Sequence, residues 1–184
     1  MDAYVFIRGA EAGSISELRK TGDPRLRFIT DLTGPEDIFV AIEANGLRAI
    51  RDAVVESIHG VGLHDSDTSI AVKVPPIVDK DSAAATTLHQ PMGVRRWFTS
   101  RQVEAYSRVR VQRGHAREVY ETVNQLDGYL GHALVAGRSD LIVGMGGDDF
   151  ETVAGAVLEG LQNSDWVLST ETSFAFNDGD GSAF

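Results

Sequence analysis

Two stretches of the chain carry the same apolar spacing. Leu47, Ile50, Val54, Val55 and Ile58 fall at i, i+3, i+7, i+8 and i+11, and Phe150, Val153, Val157, Leu158 and Leu161 repeat that spacing. This is the stripe of an amphipathic helix, which predicts two helices that each turn these five residues toward a core. Asn45 and Asp148 stand at matching N-cap positions, and Asp148 with Glu151 resembles a capping box. Runs rich in β-branched and aromatic residues predict strands over 3–9, 25–33, 37–44 and 65–73, with counterparts over 104–112, 130–136, 140–146 and 167–176. An earlier helix in each half carries Ile15 and Leu18, then Val119, Val123 and Leu126. The order is β-α-β-β-α-β twice, which is the split β-α-β or ferredoxin-like unit.

Sliding the chain on itself supports the duplication. Ala3-Tyr4 falls on Ala105-Tyr106, Asp37 to Val40 on Asp140 to Val143, and Thr68-Ser69-Ile70 on Thr172-Ser173-Phe174. The expected organisation is a first repeat over 1–74, a linker over 75–102, a second repeat over 103–176 and a disordered tail over 177–184. Pro75-Pro76 stops the last strand of the first repeat, and small residues run from Ser82 to Thr87. In such a unit both helices cover one sheet face. Here the strands are apolar on both faces, with Ile38, Val40 and Ile42 on one side and Phe39 and Ala41 on the other. The bare face must therefore meet a second sheet, in the same chain or in another copy. The predicted class is α+β, with tandem ferredoxin-like repeats of the dimeric α/β-barrel type and antiparallel sheets packed face to face.

Composition narrows the chemistry. The 184 residues include no cysteine, which removes disulfides, thiolate nucleophiles and Cys-ligated metal sites. Acidic residues outnumber basic ones 27 to 17, for a net charge of −10, and such a chain is poorly suited to bind nucleic acid directly. No apolar run approaches the ~20 residues of a membrane span, and the N-terminus has no signal-peptide pattern, so a cytoplasmic protein is expected. Arg95-Arg96-Trp97-Phe98 is read as aromatics that pin the linker rather than as a nucleic-acid patch. The five histidines lack metal-ligand spacing, and Asp178-Gly179-Asp180-Gly181 lacks the closing Glu of a calcium loop. Neither a metal nor a cofactor is expected.

Two features stand out as candidate chemistry. Gly144 and Gly146 occupy the strand face that carries Ala41 in the first repeat, and a strand glycine marks a bulge or the close approach of a ligand or another backbone. If one pocket exists, it is expected beside the second repeat. Arg8 and Arg110 hold equivalent strand positions, where each could clamp a carboxylate or pair with a neighbouring acid.

Each repeat resembles the effector-sensing domain of Lrp/AsnC-family regulators. The marks are an opening strand with Ala-Tyr, a Gly-x-x-Asp hairpin before an apolar strand (Gly34 to Asp37, Gly137 to Asp140), and Thr-Ser in the final strand (Thr68-Ser69, Thr172-Ser173). The resemblance implies domains that pair through their sheets, assemble further, and hold amino acids or related molecules at interfaces near the hairpin. Carried over by position, it implies contacts from Gly34, Asp37, Thr68 and Ser69, and from Gly137, Arg138, Asp140, Thr172 and Ser173, with Gly144 and Gly146 beside them. A carboxylate suits an α-amino group, while backbone N–H groups and hydroxyls suit an α-carboxylate. This sequence departs from the family at the hairpin's third position, which is Glu36 or Ser139, and has no counterpart of the helix-turn-helix half ahead of Ala3. The expected function is a small-molecule sensing module that acts in transcriptional regulation through protein contacts, as a homo-oligomer or with a DNA-binding paralogue. The alternative is a dimeric α/β-barrel enzyme of the small monooxygenase or haem- and siroheme-handling type.

Overall fold

A computed structural model describes residues 1–72 and 102–176. The expected linker, apart from Gln102, and the expected tail lie outside the described residues, as do Arg95 to Phe98 and Asp178 to Gly181. The first half runs β1 (Asp2–Ile7), α1 (Ser14–Lys20), β2 (Leu26–Asp31), β3 (Ile38–Glu43), α2 (Leu47–Ala53) and β4 (Ser66–Ala71). The second runs β5 (Val103–Val111), α3 (Ala116–Val123), β6 (Tyr129–Ala136), β7 (Leu141–Gly147), α4 (Phe150–Gly155) and β8 (Val167–Phe176). These are the predicted tandem ferredoxin-like units. Both α2 and α4 continue into a π-helical turn, Val54–Ile58 and Ala156–Leu161, at equivalent places.

All strand pairs are antiparallel, in the order β2-β3-β1-β4-β6-β7-β5-β8. The two halves join where Ile70 pairs with Ala136 and Ala71 with Val135. They join again where Thr33 and Phe174 exchange backbone hydrogen bonds of 2.7 and 2.9 Å. Thr33 corresponds to Ala136, and Phe174 to Ile70. The two joins are therefore related by a pseudo-two-fold, and in each the arm before one half's hairpin pairs with the other half's final strand.

Strand alternation sorts the side chains. Ala3, Val5, Ile7, Ile38, Val40 and Ile42 pack under the first pair of helices with Leu18, Ile50 and Ile58. Val103, Ala105, Val109, Leu141, Val143 and Met145 do the same in the second half. The opposite faces meet in a third core, where Tyr4, Phe6, Phe39 and Ala41 pack against Tyr106, Ala133, Val135, Ile142 and Ala175. The apolar second face thus meets its partner sheet within one chain. Phe39 stacks on Tyr106 across this layer with ring centroids 4.5 Å apart.

Two sequence expectations need correction. Leu47, Val55, Phe150 and Leu158 are 60%, 52%, 47% and 54% exposed, so they lie outside the core they were expected to enter. Adjacent helix positions such as Val54 and Val55 are about 100° apart, and a helix lying on a sheet buries a narrower stripe than the five-residue pattern assumed. The N-caps also sit one residue later, at Gly46 and Asp149. Asp149 accepts bonds from the Thr152 N–H at 2.8 Å and its hydroxyl at 2.9 Å, and these hold its carboxyl below the usual range.

Candidate functional site at the hairpin junctions

The β2–β3 and β6–β7 hairpins each press on the last strand of the opposite half. A Cβ on Gly34 would lie 3.0 Å from Ser173 Oγ and 3.1 Å from its Cα, and one on Gly137 would lie 2.9 Å from Ser69 Oγ. Glycine is needed for this approach, and at Gly34 also for a φ of +146°. The two motifs noticed separately in the sequence, Gly-x-x-Asp and Thr-Ser, therefore meet crosswise at two junctions.

The aspartates close the hairpins from behind. Asp37 Oδ2 accepts from Ala10 N at 3.1 Å, and Asp140 Oδ2 accepts from Val111 N at 2.8 Å. Their own N–H groups donate to Ile7 O and Val109 O. Both carboxylates are thus engaged with the strand ends of β1 and β5. Of each Thr-Ser pair, the serine faces the other half and the threonine faces the helices: Thr172 Oγ1 lies 2.8 Å from Ser107 Oγ. Ser69 and Ser173 are fully buried.

The junctions differ at the hairpin's third residue. At the first, the Glu36 carboxylate is 2% exposed and accepts bonds from Ser173 Oγ at 3.0 Å, Arg8 Nη2 at 2.9 Å and the Arg108 guanidinium. The hydrogen bond to Glu36 raises the pKa of Arg8. Arg108, itself 4% exposed, also binds Asp67 at 2.9 Å and Glu171 at 2.5 Å, and its guanidinium carbon lies 5.0 Å from the Phe6 ring centroid. One buried guanidinium thus gathers three carboxylates from three segments of the chain. At the second junction the third residue is Ser139. The hydroxyls of Ser139 and Ser69 are buried without a hydrogen-bond partner among the described residues. Arg138 is exposed, with Nε 4.0 Å from Asp67.

Gly144 and Gly146 lie in β7 on the inter-sheet face, level with Tyr106 and Glu104 of β5. Gly146 donates to Gly128 O at 2.7 Å, and a Cβ on Gly128 would meet Gly146 O at 2.5 Å, so this stretch serves a close backbone approach. Beside it the Tyr106 hydroxyl donates to the buried Glu104 at 2.5 Å; burial, with Glu104 next, holds the phenol well above its usual pKa. An open concavity lined by the β1–α1 turn, Arg19 and Asp37 lies on the outer side of the first hairpin.

Sequence reasoning missed Arg108 and the role of Glu36. The signal was available: Arg108 falls where the first repeat has Phe6, a charge inside an otherwise buried strand. Arg8 forms the pair with a neighbouring acid that was one of its two expected roles, whereas its equivalent Arg110 is exposed. Among the described residues no group of three His, Asp or Glu is placed to hold a metal, and no helix is long and apolar enough to cross a membrane.

The architecture defines a tandem ferredoxin-like α/β barrel, a fold also found in a solved structure that matches nearly the whole chain. The siroheme decarboxylase NirDL superposes on 96% of this chain and 71% of its own with a TM-score of 0.66 at 10% identity. AsnC of Escherichia coli matches 43% of this chain at 12% identity and a TM-score of 0.40. A transcriptional regulator of Neisseria meningitidis, solved with L-methionine, matches 41% at 20% identity and a TM-score of 0.35. The chain spans about half the length of these two regulators, 54% and 51%. At 10% identity the likeness to the decarboxylase is one of fold. No protein-family model matches the sequence, and no curated protein does.

Proposed function

We propose that this chain is a small-molecule binding module of Lrp/AsnC type, whose ligand is held at the hairpin junctions between its two halves. The observation that carries this reading is the crosswise docking of Gly34 on Ser173 and Gly137 on Ser69, with buried hydroxyls at the second junction that have no partner among the described residues. The ligand is an amino acid or a close relative. The module acts in transcriptional regulation through contacts with further copies of itself or with a DNA-binding paralogue, since its net charge of −10 disfavours direct contact with nucleic acid.

Thermal melts with each of the twenty amino acids at about 100 times a plausible dissociation constant test it, because specific binding then adds about 2.7 kcal/mol, roughly 5 to 10 °C for a chain of this size. A selective rise supports sensing, and a flat panel rejects it. The second reading is an enzyme, favoured by the barrel's likeness to a siroheme decarboxylase over nearly the whole chain. The buried Glu104–Tyr106 pair beside the glycine strand is where its chemistry would be sought. A tetrapyrrole absorbance band that survives gel filtration would favour that reading.

A further inference from the structure

The two junctions are equivalent in their partners and unequal in their contents. At the first, Ser173, Arg8 and Arg108 surround a carboxylate and hold it at 3.0 Å from the hydroxyl and 2.9 Å from the Arg8 guanidinium. This is a carboxylate receptor whose guest, Glu36, belongs to the chain itself. Applying the pseudo-two-fold, Ser69 takes the place of Ser173, Arg110 that of Arg8, and Ser139 that of Glu36. The receptor's hydroxyl and one of its guanidinium groups are thus repeated, while the guest is replaced by a short hydroxymethyl side chain.

What remains at the second junction is a set of unmet donors. Ser69 is 0% and Ser139 6% exposed, and neither hydroxyl has a hydrogen-bond partner among the described residues. Arg110 is exposed and has no ion-pair partner among them. Buried hydroxyls are almost always satisfied, so an unmet one on each side of this junction calls for an occupant. Asp67, on the opposing strand β4, is bound by Arg108 at 2.9 Å and lies 4.0 Å from Arg138. Phe6 stands in place of Arg108, which leaves Arg110 and the hairpin's own Arg138 as the cations at this end.

We propose that the second junction binds a small free carboxylate where the first holds Glu36: Ser69 and Ser139 donate to its oxygens, and Arg110 closes over it. The inference rests on the reading that the junctions hold the ligand, and it names the group recognised and the half that recognises it. In an amino-acid ligand this group is the α-carboxylate.

The test is an amide-resolved NMR titration of the full chain with sodium acetate against sodium chloride at matched ionic strength. Saturable shifts at Ser69, Gly137 and Ser139, with Gly34 and Glu36 unmoved, support the site; shifts no larger than those in chloride overturn it and leave the hydroxyls to buried water. Ser139→Glu supplies a guest in cis. This variant is expected to fold and to lose the acetate response, and a folded Ser139→Glu that still responds overturns the proposal. If it does not fold, Ser69→Val takes its place: about a tenfold loss of acetate affinity is expected from the missing charge-assisted bond, and unchanged affinity overturns the site. Saturable acetate binding with a flat amino-acid panel keeps the site and rejects amino-acid sensing. An amino-acid response with no shift at Ser139 does the reverse.

Discussion

Phe6 and Arg108 hold equivalent positions in the two halves, and they touch: the guanidinium carbon of Arg108 lies 5.0 Å from the Phe6 ring centroid. Residues that meet their own equivalents in this way lie at the pseudo-two-fold. In a homodimer with true symmetry an arginine there would face an arginine, and a phenylalanine a phenylalanine. One chain that supplies both halves is free to set a cation against an aromatic face and to gather Glu36, Asp67 and Glu171 around that single charge. The asymmetry at the axis is what makes the two junctions unequal.

Removal of Arg108 strands these carboxylates. Arg108→Met is expected to lower the unfolding free energy by about 3 to 5 kcal/mol, as for a broken buried ion pair, whereas Arg110→Met, at an exposed position, stays within about 0.5 kcal/mol. Urea denaturation of the two variants checks the contrast. Equal effects would remove Arg108 from its role at the interface.

The glycine contacts predict an order. Gly34→Ala brings a methyl to 3.0 Å from Ser173 Oγ and 3.1 Å from its backbone at a φ of +146°, so it should cost about 1 to 3 kcal/mol. Gly137→Ala meets first the Ser69 hydroxyl, which can turn aside, and the cost is smaller. Adding Ser69→Ala to Gly137→Ala should recover most of it in a double-mutant cycle.

Acid should release one specific restraint. The Asp23 carboxylate, 6% exposed, binds Arg25 at 2.8 Å and Ser57 Oγ at 2.5 Å, and the bond from Arg25 holds its pKa down to about 2 from 3.8. A depressed carboxylate stabilises above its unfolded pKa, and that contribution, about 2 kcal/mol, disappears as pH falls from about 4 through 2. Asp23→Asn should flatten the stability profile in this window and leave a roughly constant deficit at neutral pH.

The inter-sheet layer should depend on its aromatic centre. Phe39 contacts the rings of Tyr4, Phe6, Phe28 and Tyr106, and Phe39→Ala is expected to cost about 3 to 5 kcal/mol. Val55→Ala, at a position 52% exposed, should cost well under 1 kcal/mol although both residues belong to apolar runs. Thermal denaturation distinguishes them.

Much of this was legible in the sequence. Periods of two and of 3.6 gave the order of elements, and apolar residues on both faces of β3 required a second sheet. Neither signal says which sheet, because side-chain alternation describes a face and not its partner. The helix pattern overreached at Leu47 and Val55, since an apolar residue at a helix flank costs little when exposed. The hairpins were found as turns with ligand chemistry, but their crosswise contact lies 137 residues apart in sequence for Glu36 and Ser173, beyond any local rule. Glu36 looked like a departure from a pattern; only its burial beside two arginines shows it as a guest.

The face-to-face packing of the two sheets within one chain also sets how the protein responds to dilution. An interface shared between subunits weakens as they are diluted, whereas this one forms at the fixed local concentration that a covalent connection imposes. The barrel and both junctions should therefore persist at nanomolar protein. Any dependence of melting on concentration would then report contacts outside the barrel, between one copy of the chain and another.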